Sequence, residues 1–93
     1  MASRRNLKKD IDYLITDLII DCYGCMEEHS EKDFSQYEQI INDAIILKED
    51  LIERINQFSP GTSGGSKSYF LNLKRDLILG VTQAYDKLKS LGC

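Results

Sequence analysis

Apolar residues recur every three or four positions in three segments of the chain, a spacing that gathers them on one face of an α-helix. The pattern predicts helices over residues 4–30, 35–58 and 67–91. The apolar face of the first predicted helix consists of Leu7, Ile11, Leu14, Ile15, Leu18, Ile19, Cys22, Cys25 and Met26. The face of the second consists of Tyr37, Ile40, Ile41, Ala44, Ile45, Leu47, Leu51, Ile52, Ile55 and Phe58. The face of the third consists of Phe70, Leu73, Leu77, Ile78, Val81, Ala84, Tyr85, Leu88 and Leu91.

Residues 59–66 interrupt the pattern with Pro60 and a run rich in Gly and Ser, which predicts a flexible loop. Ser35 and Glu38 have the spacing of a capping box, in which each side chain satisfies an unpaired backbone N–H at the start of a helix. A single amphipathic helix is marginal in water, and three of them with short connections pack most simply around one core. The sequence therefore predicts an all-α fold, an up-down-up antiparallel three-helix bundle, with residues 1–93 as one domain.

The composition limits the classes of partner that the chain is expected to bind. The chain has a net charge of −3 and a pI near 5.0, which disfavours a dedicated nucleic-acid binder. Acidic residues interrupt every apolar run before it is long enough to span a bilayer, so we expect no membrane contact. We expect a cytoplasmic protein with reduced thiols, and the residues indicate no small-molecule substrate and no cofactor.

One cluster resembles a site for thiol chemistry. Cys22, Cys25 and His29 have helical spacing that places them on one face, and Cys93 ends the third predicted helix at the same end of the bundle. Tetrahedral zinc takes such a set of ligands, and a Cys-x-x-Cys pair is also typical of redox sites. The same face carries the core positions, however, and free cysteine packs as a small apolar residue, which favours buried cysteines without a ligand. Metal binding and redox chemistry remain alternatives.

Lys48 lies within the apolar face of the second helix. A buried ammonium group must pair with a carboxylate or reach water along its own stem. Counting turns from the loops places Lys48 level with Asp17 and Asp76, so we expect its ammonium group either to reach water along its stem or to pair with one of these two carboxylates.

The first predicted helix is charged against its own dipole, because cations lie at its N-terminus and carboxylates at its C-terminus. The cations are Arg4, Arg5, Lys8 and Lys9, and the carboxylates are Glu27, Glu28 and Glu31. The basic end is a candidate site for an acidic protein partner, or for head-to-tail contact with the acidic end of another copy.

Three apolar residues, Ile20, Ile46 and Leu79, lie outside the apolar faces of their helices and at similar heights in the bundle. They are candidate partner-binding residues, and they indicate a homodimer or a partner that contributes a helix.

No catalytic motif is present, because the chain has one histidine and lacks the sequence patterns of nucleophile elbows and zinc hydrolases. We therefore expect a non-enzymatic structural or protein-interaction module. The alternative function is a thiol-based metal or redox site built on Cys22, Cys25, His29 and Cys93.

The opening residues Ser3–Ile11 (SRRNLKKDI), followed by three predicted helices and a Gly/Ser loop, resemble small uncharacterised helical-bundle proteins of Bacteroidetes-type bacteria. The resemblance implies an intracellular bacterial three-helix bundle, and it assigns no functional residues.

Overall fold

A computed structural model describes residues 4–29, 34–58 and 65–92. It contains three helices, α1 (Arg4–Glu28), α2 (Ser35–Gln57) and α3 (Gly65–Ser90), and no strand within the described residues. The predicted helix limits agree with the observed ones to within two residues at every end. Of the predicted Gly/Ser loop, residues 59–64 lie outside the described residues.

The helices run up, down and up, as predicted. The Tyr85 hydroxyl donates to the Asp21 carboxylate at 2.7 Å, and this bond joins the C-terminal halves of α1 and α3. At the same end, the hydroxyl of Tyr37 in the first turn of α2 donates to the carbonyl oxygen of Leu91 at 3.4 Å. Helices α1 and α3 are therefore parallel and α2 is antiparallel to both, in a bundle that measures 53 × 18 × 18 Å.

One core runs the length of the bundle because each helix turns a face of aliphatic residues inward. The buried apolar residues of the described part are Leu7, Ile11, Ile15, Leu18, Cys22, Tyr37, Ile40, Ala44, Leu51, Ile55, Leu73, Leu77 and Leu88. Helices α2 and α3 approach closely at Gly80, where a Cβ atom would come within 2.5 Å of the Leu47 side chain.

Two residues assigned to the core faces are instead exposed. Ile45 and Ile78 have 41% and 53% of their surface accessible. Each directly follows a buried residue, Ala44 or Leu77, and so lies about 100° around its helix from a core position. Three helices cover a narrower face than the sequence pattern indicated, so these two flanks remain open.

The start of α2 also differs from the prediction. Phe34 is the N-cap residue and makes no side-chain capping hydrogen bond, and the backbone N–H of Glu38 donates to the carbonyl oxygen of Phe34 at 2.9 Å. The helix begins at Ser35 as an α-helical residue, so the prediction of Ser35 as the cap of a capping box is wrong.

Candidate functional site

Helix α1 carries a second apolar stripe on the side opposite its core face. Tyr13, Ile20 and Tyr23 expose 72%, 60% and 54% of their surface, and Thr16 is exposed between them. These residues follow the spacing i, i+3, i+7 and i+10, which aligns side chains along one face of a helix. We call Tyr13, Thr16, Ile20 and Tyr23 the outer stripe. A helix that is apolar on two opposite sides has one side that its own bundle leaves uncovered.

Shallow grooves border the outer stripe on both sides. Between α1 and α3, Tyr13 lines a groove with Leu14 and the exposed Ile78. Between α1 and α2, Thr16 lines another groove with Ile19 and Ile45, and the charged residues Lys48, Glu49 and Glu53 line it as well. The outer stripe therefore lies between one mainly apolar groove and one groove that also carries charged residues, and a second helix laid along α1 would contact both.

The charges at the two ends of α1 differ from those at the ends of the other described helices. It has no acidic residue in its first turn and no basic residue in its last turn. By contrast, α2 has Glu38 in its first turn and Arg54 in its last, and α3 ends with Lys87 and Lys89. Only α1 therefore has both ends unmatched to the helix dipole, which favours anions at the N-terminus and cations at the C-terminus.

The three candidate apolar residues are all exposed, as predicted: Ile20 at 60% and Ile46 and Leu79 at 55% each. Each of them follows a buried residue by two positions, which places it about 200° around its helix and away from the bundle axis. They project from three different helices, so one partner helix cannot cover all three. Sequence reasoning passed over Tyr13 and Tyr23, although their heptad spacing with Ile20 was the signal that could have found them.

The basic end of α1 forms one wall of an open cleft. Arg5, Lys8, Lys9 and Asp12 of α1 line it together with Lys48 of the facing helix α2. The side chain of Arg4, the first residue of α1, lies outside the described part of the structure. Because the carboxylate of Asp12 lies inside the cleft and pairs with Lys48, it reduces the positive charge available to an acidic partner.

Lys48 pairs with a different carboxylate from the two expected. Its Nζ atom lies 2.6 Å from Oδ1 of Asp12, and its side chain is 39% exposed. Asp76 instead accepts a hydrogen bond from Arg54 at 2.9 Å. Lys48 lies on the flank of α2 that faces α1 and reaches outward, so the alternative in which it reaches water agrees with the structure and the pairing with Asp17 or Asp76 is wrong.

The cysteines do not form a metal site in the described residues. Cys22 is a free thiol and is fully buried, as predicted. Cys25 is half-buried and disulfide-bonded, so the expectation of a reduced thiol is wrong for this residue. His29 directs its Nε2 atom to the carbonyl oxygen of Gly92 at 3.2 Å. Cys93 lies outside the described residues, and no group of three or more potential metal ligands is found within them.

The Cys22 thiol and the Tyr85 hydroxyl lie near the C-terminal half of α1, and we expect both to make the fold less stable at alkaline pH. Burial raises the pKa of the Cys22 thiol above 9.0, and burial followed by the hydrogen bond to Asp21 raises the pKa of Tyr85 above 10.0. Above these values the unfolded chain releases protons that the folded chain retains, so the free energy of unfolding falls as the pH rises. Tyr85→Phe is expected to make this fall shallower than in the wild type above about pH 10. Urea unfolding at a series of pH values measures the free energy of unfolding of both proteins. If it falls equally steeply with pH in Tyr85→Phe and in the wild type, the assigned role of Tyr85 is contradicted.

Comparisons of the chain with protein-family models, with curated proteins and with solved structures find no match. The resemblance to bacterial helical-bundle proteins therefore stays a prediction. None of the helices in the described ranges combines the length and apolar character that crossing a membrane requires.

Proposed function

We propose that this protein is a non-enzymatic interaction module whose recognition surface is the outer stripe of α1. The observation that carries the proposal is the exposure of Tyr13, Ile20 and Tyr23 in one line along a helix. Isolated exposed apolar residues are ordinary, but apolar residues aligned along one exposed helix face are typical of a binding surface. Aromatic residues are also enriched at protein interfaces because they bury a large area with few rotatable bonds.

The geometry favours a helical partner. Side chains at i, i+3, i+7 and i+10 form the row of knobs that packs into the holes of a facing helix. The grooves on either side of α1 leave room for the flanking side chains of that helix. An extended peptide has no exposed sheet edge to join, since the described residues contain only helices.

Matched variants in the native host test the proposal. Ile20→Glu places a charge at the centre of the outer stripe, and Leu79→Glu places the same charge on a residue of similar exposure on α3. We expect proteins that co-purify with the wild type to be retained by Leu79→Glu and lost with Ile20→Glu. Circular dichroism should show both variants folded, because neither position is buried. Equal retention by both variants would contradict the assignment of the surface.

The alternative, a thiol-based metal or redox site, has less support. Burial of Cys22 and the raised pKa of its thiol disfavour the thiolate that metal binding and disulfide exchange require. A disulfide-bonded Cys25 offers no thiolate at all. Three further points stay predictions. They are an acidic partner at the basic end of α1, a partner-binding role for Ile46 and Leu79, and a cytoplasmic location.

A further inference from the structure

We infer that the outer stripe is covered by the outer stripe of a second copy, with the two α1 helices packed antiparallel across a two-fold axis. The inference deepens the proposed function and rests on it, because it names the partner of the same surface. It begins with a symmetry in the order of residues along the exposed side of α1. A line along the middle of that side carries, in order, Lys9, Tyr13, Thr16, Ile20, Tyr23 and Glu27, and the exposed Asp12 and Asp17 lie at its edges.

The order is symmetric about position 18. Lys9 and Glu27 each lie nine residues from that position, the two tyrosines each lie five residues from it, and Thr16 and Ile20 each lie two. In an antiparallel pair with its two-fold axis at this level, every residue meets its counterpart on the other copy. Tyrosine faces tyrosine, Thr16 faces Ile20, and the ammonium group of Lys9 faces the carboxylate of Glu27.

The charges at the ends of α1 select the antiparallel orientation. Within one chain, the basic start and the acidic end of α1 both oppose the helix dipole. In the antiparallel pair, Lys9 of one copy lies beside Glu27 of the other, and the two dipoles also oppose each other. A parallel pair would place lysine against lysine and glutamate against glutamate, and like charges in contact disfavour it.

Gly24 provides an independent observation at the edge of the outer stripe. It is exposed inside α1, and a Cβ atom at this position would meet nothing within 4 Å in the monomer. Glycine within a helix is about 1 kcal/mol less favourable than alanine. The monomer therefore gains nothing from glycine here, whereas the missing side chain lets a second backbone approach closely.

The expected interface is small. Residues 9–27 span about 27 Å of helix. A single helix pair of this length lies at the low end of specific interfaces, which is the range of weak and transient contacts. We therefore expect a reversible dimer with a dissociation constant between about 10 μM and about 1 mM, rather than an obligate assembly.

Charge reversal tests the inference by sedimentation equilibrium of the purified chain. Lys9→Glu and Glu27→Lys are each expected to weaken dimerisation about tenfold, because each introduces two like-charge contacts across the two-fold axis. The double variant restores both contacts with reversed sign and is expected to return to within about threefold of the wild type. Within one chain these two residues lie too far apart to interact, so the rescue must come from the second copy.

Control variants on another helix separate a specific pair from a general charge effect. Arg75→Glu and Asp86→Lys, both on α3, alter exposed charges away from the outer stripe and its flanking grooves and are expected to leave the dimer unchanged. A double variant that stays as weak as the single variants would overturn the antiparallel register. A wild-type chain that remains monomeric at about 1 mM would overturn self-association altogether. The proposed function would survive that second result if Ile20→Glu still abolished co-purification in the native host.

Discussion

Leu18→Ala is expected to lower the free energy of unfolding by about 3 kcal/mol, the largest single effect we predict. The Leu18 side chain is fully buried, and it packs beside Ile40, Ala44 and Leu47 between α2 and α3. Truncation removes apolar surface from the core and leaves a cavity that rigid helices only partly close. A domain of this size has about 5–14 kcal/mol of stability, so the loss is a large share of the total.

Urea and thermal unfolding followed by circular dichroism measure the effect. The thermal midpoint of Leu18→Ala is expected to fall by about 10–25 °C. The control is Leu79→Ala, which removes the same atoms from a side chain that is 55% exposed and should change stability by less than about 0.5 kcal/mol. Equal effects of the two variants would contradict the placement of Leu18 in the core.

Gly24→Ala is expected to change stability in the opposite direction and to raise the free energy of unfolding by about 0.5–1 kcal/mol. The new methyl group enters open space in the monomer, and the unfolded chain loses some of its conformational freedom. Urea unfolding at low micromolar concentration, below the range in which dimers are expected, measures the gain.

Gly80→Ala is the matched control for this substitution. Both glycines lie within helices, but the added Cβ at position 80 would come within 2.5 Å of Leu47. The clash offsets the gain in helix propensity, so Gly80→Ala is expected to be less stable than Gly24→Ala. A loss of stability in Gly24→Ala would show that the monomer itself requires glycine there.

The periodicity of apolar residues was enough to predict the helices, because a buried face repeats every three to four residues whatever its partners are. It was less able to predict the width of that face. Ile45 and Ile78 continue the apolar pattern and yet lie on open flanks, since burial there depends on how far the neighbouring helix extends around the bundle. Ile20 was recognised as exposed because it breaks the pattern, whereas tyrosine is compatible with both sides of a helix, so only the spacing of Tyr13 and Tyr23 relative to Ile20 marked them.

The interaction partner of an individual side chain was harder to predict than the position of a helix. Counting turns fixes the height of Lys48 to about one helical turn, and that uncertainty is enough to confuse Asp17 with Asp12. Height also carries no information on the direction of the side chain, which decides between a neighbouring flank and the opposite helix. The cysteine spacing likewise placed Cys22 and Cys25 on one face, but it could not show that one is a buried thiol and the other half of a disulfide.

The most direct measurement is the change in backbone amide NMR shifts of the wild-type chain as its concentration rises from about 20 μM to about 1 mM. If the outer stripe is where two copies meet, the shifts of Tyr13, Thr16, Ile20 and Tyr23 change together and follow one binding curve. Those of Ile46 and Leu79 stay constant. Spectra that do not change, or changes centred on Ile46 and Leu79, would contradict the central claim that α1 presents the surface at which two copies associate.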